Sequence, residues 1–324
     1  MGISLCSALV AVAVVQGTAG PPLPPPAPSP PLGDTGAPRA QPAPDSTDGR
    51  AQVALGRAYL QRFDAAHGGR GPRDTLWARR VLDTADQALT RAALTLGAPG
   101  ASPTGDTARV LRVRVWSERA RLAWARGGLA LGPDTWGPLP ADLRLSPVLE
   151  ELGENLLRAC PAGGALLTAA DADSYAAWYM RFARGLRPDL LVVPLAVWRG
   201  DSLFRARAAT DLRLGRRGRG GGWLAALAER RPVCVSMAVE RPPDAGGAPW
   251  RTRPLVWVAG PHVTDDPVPP RDFVFAALKL AVDGHDPWAQ PVLALYGHAA
   301  RVTSRLCEAL ATFGVAGDVA GCRR

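Results

Sequence analysis

The chain has 324 residues, 47% of them hydrophobic, and a formal net charge of +9. That length suits about two domains, and the apolar content supports a sizeable core, which excludes a wholly disordered chain. The positive balance invites a nucleic-acid reading, yet Lys279 is the only lysine and most arginines lie scattered among Ala and Leu, so no nucleic-acid partner is expected.

Residues 1–20 carry an apolar run from Ile3 to Val15. A membrane span needs about 20 residues, so the run suits a secretory leader better. Gly17 and Ala19 are the small residues of a cleavage region, although no basic segment precedes the run. A signal peptide, or an uncleaved N-terminal anchor, makes the mature chain periplasmic or secreted. Residues 21–50 are dense in proline and read as an extended, disordered spacer.

Residues 51–147 read as a helical subdomain. Val53, Leu55, Ala58, Tyr59, Leu60 and Phe63 recur at helical spacing, and Leu76, Val81, Leu82, Ala85, Leu89 and Ala92 repeat the pattern. A third helix reads from Thr107 to Arg126, with Leu111, Val115, Ala120 and Leu122 inward. The run Leu55-Gly56-Arg57-Ala58-Tyr59-Leu60 is similar to the first helix of a tetratricopeptide repeat, without a clean 34-residue period to follow it. Gly and Pro in 127–147 connect this unit to the next.

Residues 148–263 alternate between the two kinds of element. Helices are expected at 148–160, 174–185 and 223–229. Strands are expected at 164–168, 190–195, 233–239 and 254–260. Short apolar strands separated by helices argue for a parallel sheet covered on both faces. The C-terminal segment, 264–324, is helical again over 271–316. The expected class is α/β: a parallel, Rossmann-like sheet core at about 148–263, flanked by helical, tetratricopeptide-like segments.

Cys6, Cys160, Cys234, Cys307 and Cys322 are widely spaced, with no C-x-x-C, so a zinc site is not expected. Buried free thiols are the plainer reading of the last four. In an exported protein they pair instead, Cys307 with Cys322 first. Arg216, Arg217 and Arg219 sit among glycines and read as a solvated loop, with an anionic partner as the alternative.

Asp171 and Asp173 lie just past an expected strand end, where ligands of an open parallel sheet gather. Three readings stand. Asp173 is the N-cap of the 174–185 helix. The Asp-x-Asp pair holds a divalent cation, Mg²⁺ or Mn²⁺. Or one carboxylate is a general base. Capping weighs most on residue chemistry alone. His262, followed by Asp265 and Asp266 in a polar loop, can complement the pair or be a solvated turn. His298 reads as a packed or surface histidine. Trp178, Trp198, Trp223, Trp250 and Trp257 read as packing residues, with sugar or base stacking as the alternative. No nucleophile elbow, phosphate loop or zinc signature is present.

One pattern runs through Leu167, Thr168, Asp171, Asp173, Ser174, Tyr175, Trp178 and Tyr179. It continues without a gap through Gly185, Arg187, Pro188, Asp189, Val192, Val193 and Leu195. This resembles the soluble C-terminal part of a bacterial membrane-protein family with a domain of unknown function (2723). That family is similar to the eukaryotic transmembrane protein 260, a protein O-mannosyltransferase. Arg230 to Val239 and Pro254 to Val258 look like its later strands. Ala170, Ala172, Ala176 and Pro194 stand where the family has Gly, Asn, Pro and Asn. The family's membrane helices, which carry its sugar-transfer chemistry, have no counterpart in this sequence. The resemblance therefore implies an extracytoplasmic accessory domain. The functional expectation is a non-catalytic binding module for an envelope protein or glycan, scaffolding an envelope glycosylation system beside a membrane glycosyltransferase. Its ligand-binding candidates are Asp171, Asp173, Ser174, Trp178 and His262, with no metal and no cofactor. The alternative is a metal-dependent glycosyl or phosphoryl transferase, or a hydrolase, using Asp171 and Asp173 with Mg²⁺ or Mn²⁺.

Overall fold

The computed structural model describes residues 47–67, 75–127, 143–215, 222–261, 263 and 273–322. The leader, nearly all of the proline-rich spacer, the Arg216–Arg219 cluster and His262 lie outside these residues.

Three long helices open the described chain: α1 (Gly49–His67), α2 (Thr75–Thr95) and α3 (Pro103–Gly127). Their inward stripes form a common core around Leu60, Phe63, Leu82, Leu89 and Val115. Charge pairs then join α3 to its partners. Arg114 meets Asp64 of α1 at 2.6 Å. Arg119 meets Asp83 at 2.6 Å and Asp86 at 3.0 Å, both on α2. Half-exposed pairs of this kind contribute about 0.5 kcal/mol each, so they fix alignment more than stability.

Helix α4 (Pro147–Ala159) leads into the sheet: β1 (Ala165–Thr168), β2 (Leu191–Pro194), β3 (Val233–Ser236), β4 (Arg251–Arg253) and β5 (Val256–Ala259). The strand order is β2-β1-β3-β5-β4. Strand β1 pairs in parallel with both β2 and β3; Ala165 stands opposite Leu191 on one side and Val233 on the other. The fold is thus mixed α/β with a mostly parallel core. One expectation is corrected: the strand read at 254–260 is antiparallel to β3, with Val233 opposite Ala259. The connection between them holds no helix; it turns through Gly246 and Gly247, both at positive φ, and then runs through the short strand β4. A parallel partner needs a crossover that carries the chain back over a face of the sheet, usually as a helix. Strand β4, not foreseen, completes a hairpin with β5 across Leu255, also at positive φ.

Alternation of side chains sends Leu166, Val192 and Cys234 to one face of the sheet. There they meet α4, α5 (Asp171–Trp178), α9 (Ala276–Asp283), α10 (Ala289–Val302) and α11 (Arg305–Thr312). Leu167, Val193 and Val235 point to the other face, under α6 (Leu195–Gly200), α7 (Ser202–Asp211) and α8 (Trp223–Ala228). The helices α6 and α7 were not anticipated. Asp201 starts α7 by accepting from the amides of Leu203 and Phe204 at 2.9 and 3.0 Å.

The last four cysteines are paired, Cys307 with Cys322 as expected of an exported chain. Cys160 joins Cys234, and Cys307 joins Cys322. The reading of these four as buried free thiols is therefore corrected. The helix after β1 is corrected too: it begins at Asp171 and passes into a π-helical turn, Tyr179–Ala183.

Candidate functional site

The chain leaves β1, returns in β2 on one side, and then crosses to β3 on the other side of β1. The two connections lie on opposite faces, α5 in one core and α6 to α8 in the other. At the neighbouring carboxyl ends of β1 and β3 the chain departs to opposite faces, from β1 through α5 into one core and from β3 through Val239, Ala245 and Trp250 onto the other, which leaves a crevice there. The structure has a cleft of about 530 Å³ at this place. One wall is Ala170, Asp171 and Ala172, just past β1, with Met237, Ala238 and Glu240, just past β3. The other is one face of α10: Trp288, Pro291, Ala294, Leu295, His298 and Arg301.

The two aspartates behave differently. Asp173 is fully buried. Its carboxylate accepts from the amides of Ala169 at 3.0 Å and Ala170 at 2.8 Å. Burial pushes this carboxyl up from its ordinary value, against the opposing pull of the Ser236 hydroxyl and the backbone amides. Ala170 is the N-cap and has no side-chain acceptor, so Asp173 reaches back from the third helical position to satisfy the amides its own helix leaves free. The expectation that Asp173 is itself the N-cap is corrected by three residues, with the capping chemistry kept. Asp171 is exposed and borders the cleft. The two carboxylates thus stand in different environments: both Asp173 oxygens accept backbone amides inside the fold, and Asp171 faces the cleft.

Ser174 donates its hydroxyl to Thr168 Oγ1 at 2.8 Å, tying the new helix to the end of β1. Trp178 is 3% exposed and packs on Phe182 with ring centroids 4.8 Å apart, so it offers no face to a ligand. Gly153 lets α4 approach this segment closely; a Cβ there would stand 2.5 Å from the Ala176 carbonyl oxygen. Among the described residues, the structure thus brings only Asp171 of the expected ones to the cleft.

The residues facing Asp171 come from α10. Trp288 is half-buried, and its amide donates to Asp286 Oδ1 at 2.7 Å. Its ring meets Tyr175 edge-on at 6.4 Å, a favourable arrangement of aromatic quadrupoles. Tyr175 lies one helical turn after Asp171, and burial pushes its hydroxyl above the usual phenol range. His298 Nδ1 lies 2.7 Å from the Met237 carbonyl oxygen. A carbonyl only accepts, so Nδ1 carries the proton and, in the neutral ring, Nε2 is left as an acceptor. Asp171, Glu240 and Arg301 make no hydrogen bond or ion pair among the described residues. No motif in the sequence singles out Trp288, Glu240 or Arg301, and His298 reads there as a packed or surface histidine. A signal existed in the spacing of Trp288, Pro291, Ala294, His298 and Arg301, which recurs every three or four residues along one helix face.

The other charged residues of the loop pattern are architectural. Arg187, at φ 49°, forks onto Asp189 with contacts of 2.9 and 2.8 Å. It also donates to the Leu157 and Cys160 carbonyls at 2.8 and 3.2 Å. Asp189 accepts from the Gly163 amide at 2.9 Å. The side-chain hydrogen bond from Arg187 holds the Asp189 carboxyl well below the usual range. This clamp fixes the end of α4 to the start of β2. Glu151 plays a similar part, accepting from the Ala277 and Leu278 amides at the start of α9 at 2.7 and 2.9 Å.

Among the described residues, no group of three or more His, Cys, Asp or Glu is placed to hold a metal ion, and no helix is long and apolar enough to cross a membrane. Compared with family models, curated proteins and solved structures, the chain matches none.

Proposed function

We propose that this chain is an extracytoplasmic binding module whose ligand occupies the cleft between β1, β3 and α10. The observation that carries the reading is the contrast between engaged and free charges. Asp173, Asp189, Asp201 and Glu151 are each committed to backbone amides. Asp171, Glu240 and Arg301 border a strand-order crevice with no such commitment among the described residues. Preformed concavities with a few convergent polar groups are where ligands bind. The Rossmann-like and tetratricopeptide-like kinships, and that to the family with domain of unknown function 2723, belong to this proposal. The ungapped Leu167-to-Leu195 pattern supports the last of these, the parallel trio β2-β1-β3 the first, and the packed helices α1 to α3 the second. Two disulfides support an oxidising, periplasmic or secreted location.

The partner in this reading is an envelope protein or glycan presented beside a membrane glycosyltransferase. The engagement of both Asp173 oxygens weighs against the transferase or hydrolase alternative, which asks Asp171 and Asp173 to share a Mg²⁺ or Mn²⁺. The test is affinity capture from envelope extract, with wild type and Asp171→Ala side by side. A component retained by wild type and lost with the variant supports the reading. Equal retention by both, or none by either, refutes it.

A further inference from the structure

The cleft is a groove with a direction. From Trp288 to Arg301 its α10 wall rises about 20 Å at 1.5 Å per residue. Asp171 belongs to the Trp288 end, because Tyr175, one turn after it on α5, touches the Trp288 ring. The loop after β3 belongs further along, because the Met237 carbonyl meets His298. Arg301 follows His298 by one turn. The groove thus runs from a carboxylate and an aromatic ring to a guanidinium.

Between its ends the α10 wall offers Pro291, Ala294 and Leu295, facing Ala170, Ala172 and Ala238. That stretch has no side-chain donor or acceptor. A polyhydroxylated sugar chain would leave hydroxyl groups there without partners, at a cost of about 1–3 kcal/mol for each one buried. A peptide leaves fewer such groups, because its apolar side chains can cover that surface while its backbone groups turn toward water at the cleft mouth. Its backbone N–H groups would find acceptors in Nε2 of His298 and the carboxylate of Glu240. An extended chain covers about 3.3 Å per residue, so about six residues match the length of the wall.

We infer that the groove takes an extended peptide segment of about six residues, with an amine or basic side chain at the Asp171–Trp288 end, apolar side chains in the middle and a carboxylate at the Arg301 end. This rests on the proposed binding role and narrows its partner to a protein segment. Arg301 suits a carboxylate because its planar fork of donors matches two oxygens. Trp288 suits the opposite end because an aromatic face attracts a cation.

The test is fluorescence anisotropy of labelled six-residue peptides against the full chain with its disulfides intact. One set carries a basic residue at one end, apolar residues in the middle and a free C-terminal carboxylate. A second set is amidated at that carboxylate. A linear uncharged oligosaccharide is the third probe. The free-acid peptides should bind at least tenfold more tightly than the amidated ones. Arg301→Glu should remove that difference, and Asp171→Lys should remove the preference for a basic residue at the other end. Both positions are exposed, so both variants should retain the wild-type circular dichroism. Peptide affinities indifferent to both substitutions would overturn the inference. Binding of the oligosaccharide alone, lost with Asp171→Lys, would also overturn it while leaving the cleft as the binding site. Absence of binding by every probe would overturn the peptide claim, and the envelope capture then decides the broader reading separately.

Discussion

Replacing Asp173 by Ala should destabilise the fold by about 3 kcal/mol, while replacing Asp171 by Ala should cost about 0.5 kcal/mol or less. The two carboxylates are two residues apart on one helix, so the contrast isolates environment from residue type. Asp173→Ala removes the acceptor for the amides of Ala169 and Ala170 and for the Ser236 hydroxyl. Leaving a buried donor without a partner costs about 1–3 kcal/mol. Ala170 is exposed and water can reach its amide, whereas Ala169 and Ser236 are less accessible; about 1.5 kcal/mol for each of these two gives the total. Asp171 loses only its interaction with the helix dipole, which at a fully solvated first turn lies at the low end, about 0.3–0.5 kcal/mol. Asp173→Asn should fall between, since its amide group turns a donor toward backbone donors. Guanidinium denaturation followed by near-ultraviolet circular dichroism, with the disulfides kept oxidised, measures all three. Equal midpoints for Asp173→Ala and wild type, or a loss for Asp171→Ala as large as for Asp173→Ala, would refute the division into structural and site carboxylates.

Removing the disulfides one at a time should cost about 4 kcal/mol for Cys160–Cys234 and about 3 kcal/mol for Cys307–Cys322, because the first closes the longer loop; paired Cys→Ala variants in the same denaturation assay check the order. Burial raises the Glu151 carboxyl from 4.5 to about 6. A raised acid contributes stability that is fully present below pH 4.5 and lost as pH rises through 6, by about 1 kcal/mol after allowance for partial exposure; unfolding curves from pH 4 to 8 should lose this component in Glu151→Gln. Asp189 has the opposite sign. Its lowered pKa supports the fold at neutral pH and is lost as pH falls below the ordinary carboxylate value, so Asp189→Asn should weaken the fold at pH 7 and less so at pH 3. Arg187→Lys should not restore an Arg187→Ala loss, since an ammonium cannot reach Asp189 and the α4 carbonyls together.

The parallel trio of strands was legible because Leu166 to Thr168, Leu190 to Leu195 and Val233 to Ser236 are apolar runs long enough for a buried strand and too short for a helix. Strand β4 was not, because Arg-Thr-Arg at an exposed edge carries no apolar signal. Helices α6 and α7 were hidden because Leu195 continues the apolar run of β2 directly into a helix. Ser202 to Asp211 then mixes Arg, Ala and Leu without a clear stripe. At the site, Asp171 was visible as a polar residue after a strand. Its separation from Asp173 was not, since a helix cap and a ligand contact ask for the same residue type. Trp288, His298 and Arg301 lie more than a hundred residues away, and only the packing of α10 against the sheet brings them to Asp171.

The most direct test follows amide hydrogen exchange across the chain, with and without the peptide of highest affinity. The account predicts slowed exchange confined to 169–173, 237–240 and 288–301, the three segments that border the cleft. Slowing on the helices of 49–127 instead, with those three segments unchanged, would contradict it.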